Sequence, residues 1–128
     1  MAKIIVVDDE KIVRMLIREI LAKAGYDVEI FGNPLDAIAQ IEKQEPDLLI
    51  TDIFMPEKSG LEMILELRQT HTSLKIIAIS GDSPGSEGAY KESLEVAEAL
   101  GSANIIVKPF TAAQVVDAVK NVLAAPAP

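Results

Sequence analysis

Five short apolar runs, each stopping at a polar or charged residue, alternate along the chain with segments of helical period. Residues 4–7 (Ile4, Ile5, Val6, Val7) form a continuous β-branched run that stops at Asp8-Asp9-Glu10. Apolar character without alternation marks a strand covered on both faces. Residues 27–31 read as a second strand. Residues 48–51 read as a third and stop at Asp52, residues 75–79 as a fourth and stop at Ser80, and residues 105–107 as a fifth and stop at Lys108-Pro109. In the first helical segment Ile12, Val13, Leu16, Ile17, Ile20 and Leu21 share a face opposite Arg14, Arg18, Glu19 and Lys23. Gly25 ends that helix. Gly32-Asn33-Pro34 opens a second helix, with proline in the tolerated first turn and Leu35, Ile38 and Ile41 as its expected buried stripe. Leu61, Ile64, Leu65 and Leu67 belong to a third helix. Residues 81–88 are rich in turn formers and read as a flexible loop. Residues 90–100 read as a fourth helix, with Leu94, Ala97 and Leu100 inward. Thr111 caps a last helix that turns Val115, Val116, Val119, Val122 and Leu123 to the core.

A βα unit repeated five times implies a parallel sheet with right-handed crossovers and helices on both faces. The expected fold is α/β, a flavodoxin-like (βα)5 three-layer sandwich with strand order 2-1-3-4-5. The domain spans 1–123, and residues 124–128 form a flexible Ala/Pro tail.

Composition narrows the function classes. The chain has 128 residues, 49% of them hydrophobic, enough for one domain with a proper core. A net charge of −8 argues against a nucleic-acid surface, which needs clustered Lys and Arg. With no cysteine, disulfides and thiol-bound metals are excluded. No apolar run approaches the ~20 residues of a membrane helix, and the N-terminal run is too short for a signal peptide. A cytoplasmic domain that touches no membrane is expected.

Parallel strands place the residues at their ends on one edge: Asp8 and Asp9, Asp52, Ser80 and Lys108. Carboxylates brought together repel, and one stays protonated unless a cation joins them. A hard divalent cation such as Mg2+ takes oxygen ligands of this kind. The lysine adds a fixed positive charge, and the serine a hydroxyl donor. Such a cradle suits a small oxyanion, with Asp52 placed as a nucleophile towards phosphorus. Taken singly these residues have blander roles. Asp8-Asp9 would cap the first helix, Asp52 and Ser80 would be turn residues, and Lys108 a solvated charge. His71, in a Thr-rich stretch away from this edge, reads as a surface residue without a role. Met15 falls off the first helix's stripe, and isolated exposed apolar residues are ordinary.

Asp8-Asp9, Asp52 with Met55-Pro56, Gly60, Ser80 and Lys108-Pro109-Phe110 together resemble, in order, the motifs of the receiver domain of bacterial two-component response regulators. The resemblance covers nearly the whole chain. It implies that Asp52 is the phosphoacceptor, charged by a sensor histidine kinase or a His phosphotransfer protein. It implies Mg2+ bound directly by Asp9, Asp52 and the backbone oxygen of Phe54, with Asp8 acting through water. It assigns Lys108 to the phosphoryl group, Ser80 to a turn towards it on activation, and a cis bond to Lys108-Pro109. Such a domain is a signalling protein, not an enzyme, and catalyses only its own phosphoryl transfer and dephosphorylation.

Two positions depart from the family's pattern. Ile105 stands where an aromatic often couples to the hydroxyl residue, and residues 81–88 look longer than usual, which offers loop ordering as another route. Only the short tail follows Leu123, so a stand-alone receiver is expected, monomeric or weakly dimeric, with an unidentified protein as its target. A receiver-like adaptor that ignores phosphorylation, or a receiver cut from a longer regulator, are the alternatives. A haloacid-dehalogenase-type phosphatase would want an acid where Phe54 stands, and a dinucleotide enzyme would want G-x-G-x-x-G where Asp8-Asp9-Glu10-Lys11 stands.

Overall fold

The computed structural model describes residues 1–53, 55, 58–80 and 105–128. Five parallel strands form one sheet: β1 (Lys3–Val7), β2 (Asp27–Phe31), β3 (Leu48–Asp52), β4 (Lys75–Ser80) and β5 (Ile105–Val107). Their order is β2-β1-β3-β4-β5, the expected flavodoxin-like arrangement. The helices are α1 (Lys11–Lys23), α2 (Pro34–Lys43), α3 (Gly60–Thr70) and α4 (Ala112–Ala124). The loop expected over 81–88 and the helix expected over 90–100 lie outside the described residues.

Strand side chains alternate between faces, and the core divides accordingly. Ile5, Val7, Leu49, Ile76 and Ala78 pack under α2 and α3, against Ala37, Ile38, Ile41, Met63, Ile64 and Leu67. Ile4, Val6, Leu48, Ile50, Ile77, Ile79 and Ile106 pack under α1 and α4, against Ile17, Leu21, Val115, Val119 and Val122. All five β3 residues are buried, which is why its sequence shows no polar alternation.

Local chemistry sets the helix ends. Asn33 accepts from the Leu35 N–H at 2.7 Å and opens α2 with Pro34 behind it. Ser59 accepts from the Glu62 N–H and opens α3. Thr111 and Gln114 form a reciprocal capping box on α4. Gly25, at φ 96°, supplies the left-handed residue that closes α1. Beyond α4, Lys75 Nζ donates to the carbonyls of Leu123 at 2.8 Å and Ala125 at 2.7 Å, tying the helix end to the start of β4.

Several expected orientations need correction. Ile17 and Leu21 define the inward face of α1, with Val13 and Ile20 beside them; Ile12 is 82% exposed and Leu16 47%. At about 100° per residue both lie on the outer flank of the apolar arc. The buried stripe of α2 is Pro34, Ala37, Ile38 and Ile41, and Leu35 falls on its flank, 55% exposed. Leu65 on α3 is also exposed, and Met63 takes the inward place. In α4, Val116 and Leu123 are only half-buried. His71 is not a roleless surface residue. It closes α3, and its Nδ1 lies 3.1 Å from Glu45 Oε1.

Gly60 fixes the approach of α3 to the end of β3. Its N–H donates to the Ile53 carbonyl at 2.7 Å. A Cβ there would meet the Asp52 carbonyl oxygen and lie 2.7 Å from Ile53 Cα, both main-chain atoms that cannot step aside. Gly60→Ala is expected to destabilise the domain by about 3 kcal/mol, measured as a lower urea midpoint with an unchanged slope. An unchanged midpoint would show that α3 shifts freely against β3.

Candidate functional site

The strand ends bring their polar residues together through main-chain ties. The Asp8 N–H donates to the Phe31 carbonyl at 3.1 Å, which joins the ends of β1 and β2. The Ile53 N–H donates to Ile79 O at 3.1 Å, and the Lys108 N–H to Ser80 O at 2.8 Å. β3, β4 and β5 are thereby held in register beyond their last paired residues. The Lys108-Pro109 bond is cis, as expected.

Lys108 Nζ lies 3.2 Å from Asp52 Oδ2, 3.4 Å from Asp8 Oδ2 and 3.7 Å from Glu10 Oε1. Asp8 is fully buried, Asp52 is 4% exposed and Ser80 8%. Asp8 does not cap α1. The cap position is Glu10, whose side chain makes no capping bond, and Asp8 Oδ1 instead accepts the Glu10 N–H at 2.8 Å. The Asp52 carbonyl accepts from Thr51 Oγ1 at 3.0 Å, within the strand that presents the carboxylate.

Of the residues singled out from sequence, Asp8, Asp52 and Lys108 meet directly, and Ser80 sits at the end of the intervening strand. Asp9 is exposed and stands outside the group of carboxylates that converge. Phe54 lies outside the described residues. The third converging carboxylate is Glu10, which the sequence reading passed over. Asp8, Glu10 and Asp52 each offer an oxygen, and these oxygens lie within 4.8 Å of one another. The available signal was the unbroken acidic run after β1, since the residue two places beyond Asp8 returns towards the same edge.

The electrostatics follow from this crowding. Burial pushes the Asp8 carboxyl up from 3.8 to about 6; the Glu10 N–H opposes that, Asp52 adds to it, and Lys108 opposes it. Burial alone would lower the Lys108 ammonium, but Asp52, Asp8 and Glu10 outweigh it and hold the group above its ordinary value. Three ionised carboxylates and one ammonium sum to −2. A second, divalent cation with oxygen ligands is what such a set fits.

The response regulator receiver domain model matches residues 4–120. The chain belongs to the response regulator receiver domain family. The receiver domain is 32% identical over 121 residues to the chemotaxis protein CheY of Thermotoga maritima, covering 94% of this chain and 96% of that protein. It is 31% identical over 121 residues to sporulation initiation phosphotransferase F of Bacillus subtilis, covering 94% and 93%. Among solved structures, the receiver domain of NtrX from Brucella abortus superposes with a TM-score of 0.81 at 29% identity, covering 94% of this chain and 97% of that one. A receiver domain protein from Clostridium thermocellum superposes with a TM-score of 0.84 at 23% identity, covering 96% and 94%, which shows the shared fold.

The raised Asp8 carboxyl makes the receiver's stability depend on pH. The folded state holds this proton more tightly than the unfolded chain, so stability falls as pH rises from about 4 through 6. Above that window the full cost applies, roughly 2–3 kcal/mol from the size of the shift. Asp8→Asn keeps the acceptor for the Glu10 N–H and removes the charge. It is expected to raise unfolding stability by about 2 kcal/mol at pH 7.5, a gain that vanishes near pH 4. Urea melts of both proteins across that range check it, and a pH-independent difference would refute the electrostatic origin.

Proposed function

We propose that this receiver takes a phosphoryl group onto Asp52 from the phosphohistidine of a sensor histidine kinase or His phosphotransfer protein. The observation that carries the proposal is Lys108 Nζ bridging the buried carboxylates of Asp52 and Asp8, at 3.2 and 3.4 Å. A lysine so placed neutralises charge where a phosphoryl group would sit beside Asp52. One Asp52 oxygen attacks phosphorus in line. The P–N bond breaks, its electron pair returns to the imidazole, which takes up a proton, and an acyl phosphate remains on Asp52. Hydrolysis of that bond restores the carboxylate and releases inorganic phosphate.

Asp8, Glu10 and Asp52 supply the oxygens that would hold Mg2+, with Asp9 and the Phe54 carbonyl implied by the family resemblance. Mg2+, when bound, offsets charge on the phosphoryl oxygens. Ser80, at the end of β4 with its carbonyl accepting the Lys108 N–H, would donate its hydroxyl to the phosphoryl group. The domain then acts as a signalling protein rather than as an enzyme on a separate substrate. Its output is binding to another protein, and it works in the cytoplasm, where phosphohistidine is made from ATP. Among the described residues no helix is long and apolar enough to cross a membrane.

Incubation with acetyl phosphate and Mg2+, followed by intact mass, tests the proposal. Wild type is expected to gain one phosphoryl group, and Asp52→Ala none. Lys108→Ala is expected to slow the reaction by about 10²-fold. A beryllofluoride titration guards against a short-lived adduct. An adduct that survives Asp52→Ala, or none together with no beryllofluoride response, would count against the assignment and favour an adaptor that ignores phosphorylation.

A further inference from the structure

Arg14 lies one turn into α1, yet its guanidinium turns back to the loop that carries the acids. Nη1 donates to the main-chain oxygen of Asp8 at 3.2 Å and to that of Asp9 at 3.3 Å. Every polar atom of Asp8 is then engaged. Its N–H donates to Phe31 O, its Oδ1 accepts the Glu10 N–H, its Oδ2 meets Lys108, and its carbonyl takes Arg14. Arg14 meets the turn at its main chain. The two N–H groups of Nη1, on a planar and permanently charged guanidinium, are suited to bridging two successive carbonyls.

Space beside the guanidinium is kept clear by Gly32, just after β2. A Cβ there would lie 3.0 Å from Arg14 Nη1 and 3.1 Å from Cζ. Gly32 does not have a positive φ, so its lack of a side chain serves the space beside Arg14 and not a backbone conformation.

We propose that Arg14 is a positioning residue: by bracing the carbonyls of Asp8 and Asp9 it holds the acidic turn in the shape that binds a divalent cation, and Gly32 preserves the room it needs. This rests on the phosphoacceptor function proposed above. Without the brace, the Asp8 and Asp9 carbonyls turn towards water, and only the Glu10 N–H bond to Asp8 Oδ1 is left to set the shape of the turn. Outer partners that orient a ligand set are worth 10–100-fold in metal affinity.

Calorimetric Mg2+ titration of wild type, Arg14→Ala, Arg14→Lys and Gly32→Val tests the proposal, alongside thermal unfolding in EDTA and phosphorylation by acetyl phosphate. Arg14→Ala is expected to weaken Mg2+ binding at least 10-fold. Gly32→Val is expected to weaken it in the same direction without altering either partner. Arg14→Lys, whose ammonium sits on a shorter and more flexible stem, should fall between. The Mg2+ concentration for half-maximal phosphorylation should rise in step, while the rate at saturating Mg2+ returns to near that of wild type. The metal-free unfolding midpoints should stay close together, which a merely structural role would not give. Unchanged Mg2+ affinity in Arg14→Ala overturns the inference while leaving the Asp52 assignment standing. So does a loss of affinity matched by unfolding in EDTA across the three variants. A wild type that binds no Mg2+ and forms no Asp52 adduct overturns the proposed function and this inference with it.

Discussion

A single ammonium, Lys108 Nζ, stands among carboxylates from distant parts of the sequence, 56 residues from Asp52 and 100 from Asp8. Lys108 follows the edge strand β5, whereas Asp52 ends β3 and Asp8 follows β1, in a sheet ordered β2-β1-β3-β4-β5. Three strand spacings separate β1 from β5, about 14 Å. Only a long side chain leaning inward across β4, with short acids leaning towards it, closes such a gap. The geometry therefore depends on the strands ending level with one another. The bonds from Lys108 N–H to Ser80 O and from Ile53 N–H to Ile79 O hold them so. Were β5 to slip by one residue, its side chains would change faces, and the carboxylates would lose their internal counter-charge.

The same arrangement explains why the scaffold is so heavily apolar. Gathering Asp8, Asp52 and Glu10 around one lysine leaves a net −2 on a partly dry edge, which opposes folding. Two continuous cores, chiefly of Ile, Leu, Val and Ala with Met55 and Met63 in one, lie on the two faces of the sheet and offset that cost. Gly60 brings α3 down onto the Asp52 carbonyl itself. The backbone that presents the phosphoacceptor candidate is thus pinned from within its strand by Thr51 and from above by the helix that follows. Packing fixes the Asp52 main chain, and the crowded acids in turn lower the stability of the fold that holds them.

Much of this was legible in the sequence, for identifiable reasons. Strands buried on both faces appear as unbroken β-branched runs, and a parallel sheet gathers whatever follows those runs at one edge. Asp8, Asp52, Ser80 and Lys108 could therefore be grouped without coordinates. What failed was finer. The helices carry apolar arcs wider than the sheet can cover, so Ile12, Leu16 and Leu35 matched the periodicity yet lie on outer flanks. Glu10 was passed over because half of its role is main-chain: its N–H holds Asp8 Oδ1 while its carboxylate returns towards Lys108. His71 looked idle because its partner, Glu45, is 26 residues away across a strand. Contacts of that kind follow from loop paths, which hydrophobic period does not encode.

Ile105 shows where sequence pattern and packing part company. The family resemblance makes the missing aromatic there a departure in the activation route. In the fold, Ile105 pairs with Ala78 on β4 and packs, half-buried, against the core beneath α2 and α3. A β-branched side chain in that place has few rotamers and contributes to an existing core instead of swinging between two positions. Ser80, two residues beyond Ala78 on the same strand, keeps its place beside Lys108 whether or not an aromatic follows it. If Asp52 is the phosphoacceptor as proposed, receiving a phosphoryl group and transmitting it are separable tasks. In the proposed reading the first would depend on Asp52, Lys108 and Ser80 at the strand ends, and the second on some element other than a rotating ring at position 105.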